Sequence, residues 1–131
     1  MPVLGDFETI LGDSTVVIGD TANSSGWTKN FNSGGRRSQS TAYITFMVRG
    51  MTATDENAPV FVNDKKIGDL FNNKGGNPAH WQTQIVSLGG HELNDGSNVI
   101  RVGTVLAASP DTGKDDFAIR DVICHFHQEA D

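Results

Sequence analysis

Alternating apolar and polar positions dominate the middle and the end of this chain. In TAYITFMVR, residues 41 to 49, Ala42, Ile44, Phe46 and Val48 share one parity, and Tyr43, Thr45, Met47 and Arg49 share the other. That alternation predicts a strand with one buried face. PVFV, residues 59 to 62, is a short strand, and Asn63-Asp64 turns the chain back into KKIGDL as a hairpin partner. WQTQIVSL, residues 81 to 88, and NVIRVGTVL, residues 98 to 106, are two further strands separated by the turn-rich GGHELNDGS. STVVIG, residues 14 to 19, is another. In DFAIRDVICHFH, residues 116 to 127, Phe117 and Ile119 share one parity, while Val122, Cys124 and Phe126 share the other. Either a bulge near Arg120-Asp121 resets the alternation or this strand is buried on both faces.

The pattern contains no repeat, no heptads and no helical period. Strands of this length separated by turn signals predict an antiparallel sandwich or barrel. If successive strands run antiparallel, the loops at 50–57, 70–80 and 107–115 fall at one end. The 20–39 segment, the 63–64 turn and the 89–97 turn then fall at the other.

Composition narrows the picture. With 131 residues, 37% of them hydrophobic, the chain suits one domain over residues 1–131 with one core. Only 20% of residues are charged and Gly is abundant, as in loop-rich β proteins. The net charge of −6 and pI near 5.0 disfavour nucleic acid, whose phosphates such a surface repels. No apolar run approaches the roughly 20 residues of a membrane-spanning helix, so membrane insertion is not expected. The amino-terminal MPVLGDFETILGD has no basic start followed by an apolar block. With a single cysteine, Cys124, set among apolar neighbours, the expected setting is the reducing cytosol, with release by other means left open.

Several segments together resemble the galactose-binding-domain-like jelly roll, the superfamily of many carbohydrate-binding modules and lectin-type domains. The matching residues are Val60, Val62, Asn63, Ile67 and Gly68 in the hairpin, then Leu93, Gly96, Asn98, Ile100 and Val102, then Asp115, Asp116, Phe117 and Ile119. They span residues 59 to 126, and the first 40 residues match less well. Asp64 stands where the family pattern usually has Gly, a change that an Asp in a tight turn tolerates. The resemblance implies an all-β, antiparallel jelly-roll sandwich of about eight strands. It also implies a non-catalytic domain, often a glycan binder, sometimes with a structural calcium.

Candidate chemistry was sought in each cluster of reactive side chains. FNNKGGNPAHW, residues 71 to 81, combines amides, a histidine and a tryptophan in a Gly-punctuated loop. Sugar recognition needs such parts: a flat apolar face for the ring and planar polar groups for its hydroxyls. With the neighbouring 107–115 loop, the expected glycan-binding set is Asn73, Asn77, His80, Trp81, Asp111, Lys114 and Asp115. Trp27, in a long polar loop, is the alternative platform. A calcium ion, if bound, is expected near Asp55, Glu56, Asp115 and Asp116, whose hard oxygens suit it, although no contiguous calcium loop is present. The competing reading makes one Asp a cap on backbone N–H groups where the last strand begins. Neighbouring residues of a strand point to opposite faces, so Asp115 and Asp116 are poorly placed to act as one catalytic pair. His91, His125 and His127 lack a zinc-binding frame, and no nucleophile motif is present. Single shallow sugar sites bind weakly, so a homo-oligomer would supply the linked sites that raise avidity. The second functional reading is a protein-interaction or assembly module, for instance a toxin component, using Tyr43, Met47 and the strand edges.

Overall fold

The computed structural model describes residues 3–34, 41–53, 56–72, 77–107 and 113–129. Among them nine strands form two antiparallel sheets: β1 (Val3–Leu11), β2 (Val16–Ile18), β3 (Trp27–Asn32), β4 (Ala42–Arg49), β5 (Ala58–Val62), β6 (Lys65–Leu70), β7 (Gln82–Leu88), β8 (Ser97–Val102) and β9 (Phe117–Glu129). One sheet has the order β1-β9-β4-β7, with β2 also paired to β9, and the other has the order β3-β8-β5-β6. The sheets face each other as a jelly-roll sandwich. One 3-10 turn, Gly90–Glu92, lies between β7 and β8.

The alternating segments do what their pattern predicts. Ala42, Ile44, Phe46 and Val48 of β4 face Ala58, Val60 and Val62 of β5 and Ile100 and Val102 of β8 across the core, and all are buried. Each large apolar side chain so removed from water stabilises the fold by roughly 1.5–3 kcal/mol. β6 packs against β7 of the other sheet. A Cβ on Gly68 would stand 2.7 Å from Val86 Cγ1, so a larger residue there would have to displace the valine side chain.

The switch of parity in β9 is a bulge. Thr45 pairs with Ile123 and Met47 with Arg120, so Phe46 alone faces both Asp121 and Val122. Asp121 takes up a left-handed conformation, φ 50°, and its N–H donates to Gly12 O at 2.8 Å. Phe117 and Ile119 before the bulge, and Val122, Cys124 and Phe126 after it, all reach the same core. β1 pairs with the residues after the bulge and β2 with those before it, so the interruption in pairing between β1 and β2 falls beside the bulge.

The nine strands agree with the expectation of about eight, but β1 and β3 are not among the seven segments the pattern marked. Among the described side chains β1 buries only Ile10, and β3 buries only Trp27 and Phe31, so neither carries a continuous apolar face. Both are edge strands held by backbone pairing, β1 to β9 and β3 to β8. β3 also corrects the expected loop placement. It divides the 20–39 segment, so residues 19–26 join the same end as the 50–57, 71–81 and 103–116 connections. β8 ends at Val102, short of the expected 106, and Val105 stays buried beyond it.

The residues behind the family resemblance close the opposite end. Asn63 and Asp64, with φ of 50° and 67°, make the β5–β6 turn. Asn63 Nδ2 donates to Asn98 Oδ1 and to Glu92 O, both at 2.9 Å, and Asn63 Oδ1 accepts from Val99 N at 3.0 Å. Asn98, only 1% exposed, donates through Nδ2 to Ser33 Oγ, Asn94 O and Gly96 O and accepts from Asn94 N at 2.7 Å. A buried amide must find such partners, so these two asparagines fasten the hairpin to β8 and its preceding turn.

Candidate functional site

Of the expected site residues, Asn77, His80, Trp81, Lys114 and Asp115 are described, and they lie in connections at the end of the sandwich opposite that asparagine lock. There the loops are laced together by long-range hydrogen bonds. Gly50 N donates to Pro78 O at 3.0 Å, tying the loop after β4 to the turn before β7. Asn77 Oδ1 accepts from Ala79 N at 2.9 Å and Asn77 O from His80 N at 3.0 Å, an Asx turn that sets out His80 in solvent. Asn73, Asp111 and Asp55 lie outside the described residues.

Asp115 is 9% exposed, and internal donors occupy its carboxylate. Oδ2 accepts from Thr52 N at 2.8 Å and Ala53 N at 2.9 Å, and Oδ1 from Thr52 Oγ1 at 3.3 Å. Its own N–H donates to Val105 O at 2.8 Å. It therefore caps a loop more than 60 residues away in sequence, which is the backbone-capping reading. Asp116 turns elsewhere: Oδ1 accepts from Asp20 N at 2.6 Å. The adjacent carboxylates thus serve separate partners, although both precede β9, which begins at Phe117. Lys114 donates through its backbone N to Asp20 Oδ2 at 2.9 Å and through Nζ to Ser24 O. Glu56 Oε2 accepts from Leu106 N at 3.2 Å. Among the described residues no three His, Cys, Asp or Glu side chains gather to hold a metal ion.

The aromatic platforms sort clearly. Trp27 is 7% exposed and belongs to the core. Trp81 is half-buried just before β7, and the guanidinium carbons of Arg49 and Arg120 stand 4.6 and 4.4 Å from its ring centroid. These cation–π contacts hold the indole at the meeting of the loop end and the outer face of the β1-β9-β4-β7 sheet. Arg120 is itself paired with Asp121, Nε to Oδ2 at 3.3 Å. Phe71, 57% exposed, stands at the same end, and Gln84 holds its backbone by two bonds of 2.8 Å.

Cys124 offers no nucleophile. Burial, reinforced by the nearby charge of Glu8, pushes its thiol up from the ordinary 9.0 to about 12.

One feature escaped the sequence reading. On the outer face of the same sheet, Phe7 of β1 and Tyr43 of β4 are both direct cross-strand partners of His125 of β9. The Tyr43 and His125 rings stack at 4.6 Å with 15° between planes, and Thr45 Oγ1 lies 3.3 Å from His125 Nε2. Gly5, Asp6, Phe7, Tyr43, His125 and His127 border a groove of about 230 Å³. Parity alone puts Tyr43 outward, but the row needs β1, whose sequence carries no apolar face.

No family model and no curated protein sequence matches the chain. Solved structures do. A family 35 carbohydrate binding module from Clostridium thermocellum superposes with a TM-score of 0.51 at 15% identity, covering 92% of this chain and 98% of that one. A β-porphyranase of glycoside hydrolase family 86 from the human gut bacterium Bacteroides plebeius superposes with a TM-score of 0.55 at 11% identity. The match covers 98% of this chain and 21% of the enzyme. At such identities the likeness is one of fold. The chain shares with that carbohydrate binding module the fold of a two-sheet antiparallel β-sandwich jelly roll.

Proposed function

We propose that this chain is a non-catalytic carbohydrate-binding module that holds a glycan at the laced loop end. The observation that carries the reading is the preorganised rim. Gly50 bonded to Pro78, and Asp115 bonded to Thr52 and Ala53, fix three loops around exposed Asn77 and His80 and half-buried Trp81. A rim already rigid before binding loses little further entropy when a ligand arrives. The names of the fold neighbours, a carbohydrate binding module and a polysaccharide-degrading enzyme, support the same reading. Within the expected set, Asn77, His80 and Trp81 face the ligand, with Arg49 beside them, while Asp115 and Lys114 shape the rim from within. A shallow site of this kind recognises hydroxyls through amide, imidazole and guanidinium hydrogen bonds.

A glycan array probed with the purified chain, with and without a chelator, tests the proposal. Binding that falls in both His80→Ala and Trp81→Ala, with the melting transition of His80→Ala unchanged, is the expected result. An array with no bound glycan, or binding indifferent to both substitutions, overturns it. Loss of binding in the chelator arm adds a calcium ion to the site.

A further inference from the structure

We propose a second glycan site on the outer face of the β1-β9-β4-β7 sheet, with a neutral oligosaccharide lying along the Phe7–His125–Tyr43 row. It rests on the reading of the chain as a carbohydrate-binding module, but not on the loop-end site. The row crosses three adjacent strands, so its outer members lie about 10 Å apart at the usual strand spacing. That is the reach of a short run of sugar rings. Phe7 is 61% exposed and Tyr43 40% exposed, with one face of Tyr43 against His125. Tyr43 is not loose: stacking on His125, itself beside Thr45 Oγ1, fixes its plane. A fixed, exposed aromatic face is what the apolar side of a pyranose requires.

The strand itself leaves room for the ligand. Gly5 pairs with His127 within β1, and a Cβ built on it meets nothing within 4 Å. A glycine inside a strand, with open space above it, marks a place where something approaches the backbone closely. Here that space belongs to the groove bordered by Asp6, Phe7, Tyr43, His125 and His127. The two imidazoles supply donors and acceptors for hydroxyls. The Asp6 carboxylate is directed to the other face of β1, where Oδ2 accepts from Gln128 Nε2 at 2.7 Å, and leaves the row itself uncharged.

Charge selects among sugars. Among the described residues no Lys or Arg borders the groove, and the chain carries a net charge of −6. An acidic glycan would meet like charge, so the ligand is neutral. A second copy of the chain is the weaker occupant. A protein interface wants a continuous apolar centre poor in charged groups. Here two histidines interrupt the apolar surface, and exposed Ile85 lies away from the groove on the far edge strand.

The test uses the full chain, an array of neutral gluco-, galacto-, manno- and xylo-configured oligosaccharides beside acidic ones, and titration calorimetry with the best neutral binder. A Cβ at Gly5 meets nothing within 4 Å and its φ is outside the left-handed region, so Gly5→Val is expected to fold while it narrows the groove, which its melting transition checks. Tyr43→Ala removes the stacked face, and His80→Ala disables the loop end separately. The expected result is neutral-oligosaccharide binding weakened at least about tenfold by both Gly5→Val and Tyr43→Ala. The component that His80→Ala removes persists in Gly5→Val. No neutral oligosaccharide bound, or binding unchanged in Gly5→Val, overturns the second site. Loss in His80→Ala alone also overturns it and leaves the loop-end reading standing. A concentration-dependent dimer in sedimentation that Gly5→Val abolishes, with no sugar bound to the groove, assigns the face to a second copy instead.

Discussion

Replacing Asp115 tests whether its carboxylate is a structural cap or a group held ready for a ligand. Oδ2 accepts two backbone N–H groups, from Thr52 at 2.8 Å and Ala53 at 2.9 Å, and Oδ1 faces Thr52 Oγ1 at 3.3 Å. Hydrogen bonds to a charged group stabilise by about 1.5–3 kcal/mol each, and removing the acceptor leaves a buried donor at Ala53. Thr52 is exposed and regains water when the carboxylate goes, which discounts its share. Asp115→Ala is therefore expected to cost about 3 kcal/mol. Asp115→Asn keeps one carbonyl oxygen in the Oδ2 position but loses the charge, which roughly halves each bond, so its cost is about 1.5 kcal/mol. For a domain of this size these losses lower the melting temperature by about 10 °C and about 5 °C. Urea unfolding followed by circular dichroism measures both variants, with the midpoint slope checked for two-state behaviour. If Asp115→Ala stays within about 0.5 kcal/mol of the parent chain, the cap contributes nothing and the reasoning fails. If calcium stabilises the parent chain but neither variant, the carboxylate is a metal ligand and not simply a cap.

Two further outcomes follow from the geometry. Asp64 sits at φ 67°, where an L side chain is strained, so Asp64→Gly is expected to raise stability by a few tenths to about 1 kcal/mol; a fall in the urea midpoint would contradict the turn assignment. Cys124, with its thiol pushed up to about 12 by burial, is expected to resist alkylation in the folded chain at pH 8 and to react once the chain is unfolded. Because the folded value lies above the unfolded one, the unfolded chain loses its proton first as pH rises. The Cys124 contribution is whole below about pH 9 and declines toward pH 12, a decline that Cys124→Ala should lack in pH-dependent unfolding.

The candidate site was legible in part. Asn77, His80 and Trp81 are ordered by a local Asx turn and the start of β7, and short-range pattern suffices to put them in one loop. Asp115 was visible as a choice between cap and ligand, but its partners Thr52 and Ala53 are 63 and 62 residues away. No local signal reports which backbone a carboxylate will meet at such separations. Lys114 looked like a rim group in the sequence and proves to be bonded to Ser24, because β3 brings the 19–26 connection to its side. The two tryptophans could not be told apart by composition, since only the fold shows that one ring enters the core and the other lies beside two guanidinium groups.

The amino-acid sequence by itself determined the inner face of β4, the existence of β5, β7 and β8 as strands, the Asn63-Asp64 turn and the possible reset in β9. In β4 a period of two reports burial directly, because neighbouring strand residues face opposite sides. Tertiary structure alone decided the rest. β1 and β3 are strands because β9 and β8 offer them backbone partners, and an edge strand can be held by hydrogen bonds with almost no apolar face of its own. The Phe7–His125–Tyr43 row joins residues from three distant segments on an outer face, where no burial constrains the pattern. Outward-facing chemistry on a sheet is set by register between strands, and register belongs to the folded molecule.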